Sequence, residues 1–126
     1  MKKIIFLITI VFISCETQKL DIIDLFNAEN NTNVSCYRIP SIITAPNGDL
    51  IAMIDERVPS CGDLKWSRDI NIVMRKSLDN GKTWTDIETI VDYPLGQSAS
   101  DPSMILDKKT NTIFMFYKVF KISQCI

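Results

Sequence analysis

The side chains in this sequence with the most chemical reach are two arginines and two aspartates: Arg38, Arg57, Asp63 and Asp101. An arginine presents a planar, permanently charged fork that binds a carboxylate through two parallel hydrogen bonds. An aspartate can move protons in a reaction when its surroundings raise its pKa toward the working pH. Arg38 sits in Tyr37-Arg38-Ile39-Pro40, and Arg57, Asp63 and Asp101 follow it by 19, 25 and 63 residues. A lone Arg or Asp in a β protein is ordinarily a solvated surface charge, so order and spacing must carry the argument. Composition removes the competing chemistries. With no His at all, histidine catalysis and the commonest metal ligand are excluded. Four cysteines, at 15, 36, 61 and 125, form no CxxC pair, which argues against a zinc site. No motif asks for a cofactor, and a formal net charge of −1 gives no basis for nucleic acid as a partner.

The N-terminus speaks to the compartment. Met1-Lys2-Lys3 is a short positive region, and Ile4 to Ile13 is an unbroken apolar run. Ten helical residues reach only about 15 Å, roughly half a bilayer core, so the run reads as a signal h-region and not an anchor helix. It ends Phe12-Ile13-Ser14-Cys15, which resembles a bacterial lipoprotein signal whose cysteine becomes the lipidated first residue of the mature chain. That pattern favours Leu where Phe12 stands; an ordinary secretory signal is the alternative. On this reading residues 1–15 are the signal, 16–33 a tether and 34–126 the folded part. The protein is expected as an exported bacterial lipoprotein at the outer membrane, in the periplasm or on the cell surface, held to the membrane by its lipid. Removing Lys2 and Lys3 leaves 12 basic against 15 acidic residues.

Beyond residue 33 the pattern is all β. Ser41 to Ala45 and Leu50 to Asp55 are apolar strands joined by Pro46-Asn47-Gly48-Asp49, a turn signal. A polar loop is expected from Glu56 to Ser67, then strands over Ile70 to Arg75 and Ile87 to Val91. Met104 to Leu106 and Thr112 to Phe120 make a further hairpin around Asp107 to Asn111. The one helical hint is a marginal turn or two within Leu20 to Ala28. Short strands joined by short turns suit a sandwich, a barrel or propeller blades. Pattern alone leaves these three open.

Two motifs choose among them. Ser77-Leu78-Asp79-Asn80-Gly81-Lys82-Thr83-Trp84 fits S-x-D-x-G-x-x-W. In a tight hairpin Asp79 can accept bonds from the loop amides, Gly81 can take positive φ and Trp84 can plug the turn. The run resembles the Asp box of sialidase-like β-propellers, a structural turn between the outer strands of a blade. Tyr37-Arg38-Ile39-Pro40 resembles the (F/Y)RIP motif of exo-α-sialidases, whose arginine meets the carboxylate of sialic acid. Bacterial sialidases place an arginine, an acid/base aspartate and a substrate-binding aspartate after that motif at spacings similar to those of Arg57, Asp63 and Asp101.

The resemblance spans roughly residues 34–118 and implies a six-bladed β-propeller, of which this chain supplies about the first two blades. It implies that Arg38 clamps the substrate carboxylate and that Arg57 contacts ring substituents near the 4-hydroxyl. Asp63 would be the general acid and then the base that activates water, on a partly desolvated loop. Asp101 would hold the 4-hydroxyl or N-acyl side of the sugar at the pocket floor. Sialylated glycans are the implied partners, and hydrolysis of terminal α-linked sialic acid the implied activity. A non-catalytic Asp-box protein that binds glycans or builds a scaffold is the alternative, although a pure scaffold has no need of Arg38 or Asp63. The family's tyrosine nucleophile, its glutamate and two further arginines lie in later blades, and Tyr37, Tyr93 and Tyr117 are not in matching contexts. Resemblance fades after Tyr117, so the chain is expected to be truncated and its activity doubtful. Cys36 and Cys61 are expected at the rim of the site, either as a disulfide fixing the acid/base loop or as two separate thiols. Trp66 could line the sugar pocket, with packing of a loop aromatic the favoured reading, and Tyr93, Pro94 and Gly96 read as plain connection.

Overall fold

The computed structural model describes residues 22–64 and 66–121; the signal segment, Cys15 and Cys125 lie outside these residues. One 3-10 turn, Ala28–Asn30, is followed by six strands: β1 (Cys36–Thr44), β2 (Leu50–Val58), β3 (Asp69–Ser77), β4 (Glu88–Val91), β5 (Gln97–Asp107) and β6 (Thr112–Lys121). Strands β1 to β4 form one antiparallel sheet in chain order, and β5 and β6 form a second, two-stranded sheet. That meander is what a propeller blade requires, with half of another beside it. The sheets are not closed into a ring. The helical turn expected within Leu20 to Ala28 falls later, at Ala28–Asn30, where the Asn27 side chain caps it through the Glu29 amide at 2.8 Å.

Turn chemistry closes the first hairpin. Gly48 takes φ +92° and its amide bonds the Ala45 carbonyl at 2.9 Å, as an Asn-Gly turn demands. The β2–β3 register sets Met53 opposite Met74, so that the two share a face across the ladder. These two pack with Ile72 and Ala99, flanked by Ile51, Ile90, Val91, Tyr93, Met104 and Met115. The core therefore lies between the two sheets. Tyr93 belongs to it, with its hydroxyl 3.2 Å from that of Tyr117, and is more than plain connection.

The other face of the first sheet is covered by the segment before β1. Arg75 donates to the Leu25 carbonyl at 2.7 Å, and the Phe26 and Tyr37 rings lie 5.6 Å apart. Tyr37 donates to Glu56, and burial pushes its phenol up to about 12, with Glu56 adding to the shift. The β5–β6 hairpin is different. Ile105, Phe114 and Phe116 are exposed on one side of it, which leaves an apolar face open to solvent.

Besides β1, which begins at Cys36 instead of Ser41, two strands run further than their sequence suggests. β2 continues through Glu56, Arg57 and Val58, because Cys36, Tyr37 and Arg38 pair against it. β5 begins at Gln97, seven residues before the apolar Met104, because Ser98, Ala99 and Ser100 pair with β6. Hydrogen-bonding partners, not propensity, extend both.

Candidate active site

Side chains alternate across a strand, so residues two apart share a face. On β2 the inward series Ile51, Met53 continues as Asp55 and Arg57. On β1, Cys36 pairs with Arg57 and Arg38 with Asp55, which puts both on that same face. The apolar core thus grades into a charged patch at one end of the sheet.

Two bulges keep the patch in phase. Between Arg38 and Ser41 β1 advances three residues while β2 advances two, and between Ser100 and Ser103 β5 does the same against β6. Each holds one extra residue, with Ile39 at φ +58° and Asp101 at φ +62°, each directly before a proline. Positive φ is unfavourable for residues with a Cβ, and such strain gathers where a strand must re-aim a side chain. The first bulge lets Arg38 and Ile43 both face inward, leaving Ile42 63% exposed.

Arg57 is the hub. Its guanidinium is fully buried, 3.0 Å from Asp55 and 3.1 Å from Asp63, and it donates to the Gly62 carbonyl at 2.7 Å. The Cys61 carbonyl lies at hydrogen-bonding distance of both Arg57 (3.4 Å) and Arg38 (3.3 Å). Cys36 and Cys61 form a disulfide, with Cα atoms 5.6 Å apart, so of the two readings the structure takes the bonded one. The loop 59–67 is therefore fastened to β1 by a covalent bond and to β2 by an ion pair.

Asp55 was not singled out in the sequence, yet it ties the sheets together. It accepts from the Ser100 hydroxyl at 2.5 Å and from the Asp101 amide at 3.0 Å, besides pairing with Arg57. Burial raises its carboxyl above the usual carboxylate range, opposed by the bonds from Ser100, Arg57 and the Asp101 amide. The available signal was the alternation Ile51, Met53, Asp55, Arg57, which carries the inward face past the apolar residues.

The four residues chosen from sequence thus come together on one end of the first sheet and the adjoining strand β5. Arg38 and Asp101 are exposed. Asp63 is also open, its side chain 72% exposed. Arg57 has no exposed surface and meets Asp63 and loop carbonyls instead of solvent. Trp66, expected to pack, is 74% exposed.

The Ser77–Trp84 turn stands apart, between β3 and β4. Asp79 accepts from the Thr83 amide and hydroxyl at 2.8 and 2.7 Å and from the Ser77 hydroxyl at 2.8 Å, which lowers its carboxyl to about 2. Asn80 and Gly81 take φ +61° and +88°, and the Trp84 indole N–H donates to the Gly81 carbonyl. Its bonds stay within the turn.

The chain is 37% identical over 87 residues to a sialidase of Micromonospora viridifaciens and 31% identical over 90 residues to a sialidase of Bacteroides fragilis. Its strands superpose on the leech intramolecular trans-sialidase bound to 2,7-anhydro-Neu5Ac with a TM-score of 0.67 and 27% identity, over 79% of this chain. This stretch of chain belongs to the sialidase family. No family model matches it. The chain spans 12% and 16% of the two sialidases it matches in sequence, and 18% of the leech enzyme. The all-β meander is accordingly part of a sialidase propeller, with Arg38, Asp63 and Asp101 on one end of it.

Proposed function

We propose that these strands form one wall of an exo-α-sialidase site that removes terminal α-linked sialic acid from glycoproteins, glycolipids and oligosaccharides. The observation that carries this reading is the Asp63 carboxylate, set 3.1 Å from a buried Arg57 on a loop whose Cys61 carbonyl accepts from Arg38. In this reading Arg38 receives the sugar's carboxylate, and the exposed Asp101 meets the hydroxyl or N-acyl side. Asp63 donates a proton to the departing glycosidic oxygen and then takes one from water. Arg57 acts through Asp63: it holds the carboxylate in place without itself reaching the sugar. Because Asp63 is open to solvent, the arriving substrate must exclude water from it before proton transfer is efficient.

The Ser77–Trp84 turn is proposed as an Asp box that shapes the blade without touching substrate; its distance in sequence and its self-contained bonding support that role. Export as a lipoprotein through Cys15 is proposed from the signal pattern, and the Cys36–Cys61 disulfide fits an oxidising compartment.

Release of the fluorophore from an α-linked sialoside by the full chain, compared with Asp63→Ala, tests the reading. The expected result is turnover that Asp63→Ala lowers by at least about a hundredfold, the lower end of what a positioned general acid contributes. Equal turnover by both proteins would remove Asp63 from the mechanism.

A further inference from the structure

Arg38 is an exposed side chain on β1, an edge strand of the first sheet. A long arginine in that setting samples many rotamers, whereas a guanidinium that takes a carboxylate through two parallel bonds must present its fork in one orientation. Among the described residues one hydrogen bond holds it: Nη1 donates to the Cys61 carbonyl at 3.3 Å. Whatever places Cys61 therefore places Arg38.

The bond from Cys61 to Cys36 runs to the same strand and the same face, because Cys36 stands two residues before Arg38. The covalent tie and the hydrogen bond thus act side by side between β1 and the loop. Toward β2 the loop is held differently. Arg57 takes the Gly62 carbonyl at 2.7 Å and Asp63 at 3.1 Å, while its contact with the Cys61 carbonyl is long, at 3.4 Å. Opening the sulfur bridge would leave Asp63 beside Arg57 and loosen the carbonyl that orients Arg38. Cys61 is exposed and Cys36 half-buried, so a dissolved thiol can reach the bridge.

We propose that the Cys36–Cys61 disulfide is a positioning element for Arg38, and that its oxidation state sets how tightly the site takes a substrate carboxylate. This rests on the sialidase reading given above. In the reducing step a small-molecule thiolate attacks the Cys61 sulfur, the S–S bond breaks, and Cys36 leaves as a thiolate that takes up a proton. A second thiolate attacks the mixed disulfide and frees Cys61, which is protonated in turn. Two reagent thiols have then become one disulfide, and their two electrons and two protons reside on Cys36 and Cys61.

The test is an NMR titration of the full chain with the methyl α-glycoside of sialic acid and with the methyl ester of that glycoside, which keeps the sugar and removes the charge. The oxidised protein should bind the acid at least about tenfold more tightly than the ester. Dithiothreitol should weaken the acid about tenfold and the ester less than twofold, and reoxidation should restore the difference. The double variant Cys36→Ser with Cys61→Ser should match the reduced protein and ignore dithiothreitol. Arg38→Ala, with its bridge intact, should also lose the preference for the acid. Acid binding unchanged by reduction would overturn the proposal and leave the sialic acid site standing. Equal loss of acid and ester would make the bridge a support of the whole fold and overturn it as well. Full acid binding by Arg38→Ala would remove Arg38 from carboxylate recognition, and the proposal with it. No binding of either sugar by the oxidised protein would sink it together with the reading it rests on.

Discussion

The Asp79 turn and the Asp63 loop both use an aspartate to organise a connection, but they obtain their partners from different distances. Around Asp79 the bonds run between residues two to four positions apart, from Ser77 to Trp84. In the Asp63 loop they come from Ser35, just before β1, and from Cys36 and Arg38 on it, 23 to 25 residues ahead of the loop residues they hold, and from Arg57 on β2. The first turn carries its instructions within itself. The second, whose carboxylate stands open to solvent, is only as well placed as the sheet behind it.

The sharpest way to break this contrast is at Arg57. Removing it leaves Asp55 buried without its cation and strips donors from two loop carbonyls. Arg57→Leu is therefore expected to lose about 3–5 kcal/mol in urea unfolding, while amide exchange at Gly81 and Thr83 in the folded protein stays slow. A loss below about 1 kcal/mol would mean that the ion pairs do not hold the loop. Next comes the covalent tie. Replacing both Cys36 and Cys61 by Ser is expected to cost about 3 kcal/mol for a 25-residue separation, with new proteolytic cuts confined to residues 59–67. Cuts spread over β1 and β2 instead would show that the bond supports the sheet and not the loop.

The smallest expected effect belongs to Asp79 and is read against pH. Its folded carboxyl lies at about 2, below the ordinary value of 3.8, chiefly because the Thr83 amide bonds the ionised form. A lowered folded value contributes stability that is present above the unfolded value and lost as pH falls through the folded one. Asp79→Asn should thus be less stable than the unaltered protein at neutral pH, with the difference closing as pH falls from about 4 to about 2. A difference that stays constant over that range would assign the turn's contribution to neutral hydrogen bonds. Asp55 has the opposite sign: its raised carboxyl lowers stability as pH climbs through the carboxylate range.

This division also explains what could be read in the sequence. The Asp79 turn, the Asn47-Gly48 hairpin and the apolar strands were legible because short-range rules govern them. The polar ends of β2 and β5 were not. Glu56-Arg57 and Gln97-Ser98 carry no strand signal of their own, and became strand because another segment offered them hydrogen bonds. Arg38, Arg57, Asp63 and Asp101 were found by their order, and the structure gathers them. Asp55 escaped notice since a carboxylate beside an arginine usually marks a solvated surface, and only the Ser100 and Asp101 contacts, 45 and 46 residues away, show it as the joint between sheets.

The chain-order pairing of β1 to β4 has a consequence in time. A ribosome delivers the strands in the order in which the sheet needs them, so each can zip onto its predecessor without waiting for distant chain. Arg38, Arg57 and Asp63 can reach their places once β3 has been added. Asp101 arrives only with β5, and until then the Asp55 carboxylate lacks two of its three kinds of partner. The nascent chain therefore passes through a stage in which Asp63 is already seated beside Arg57 and Asp101 is still to come.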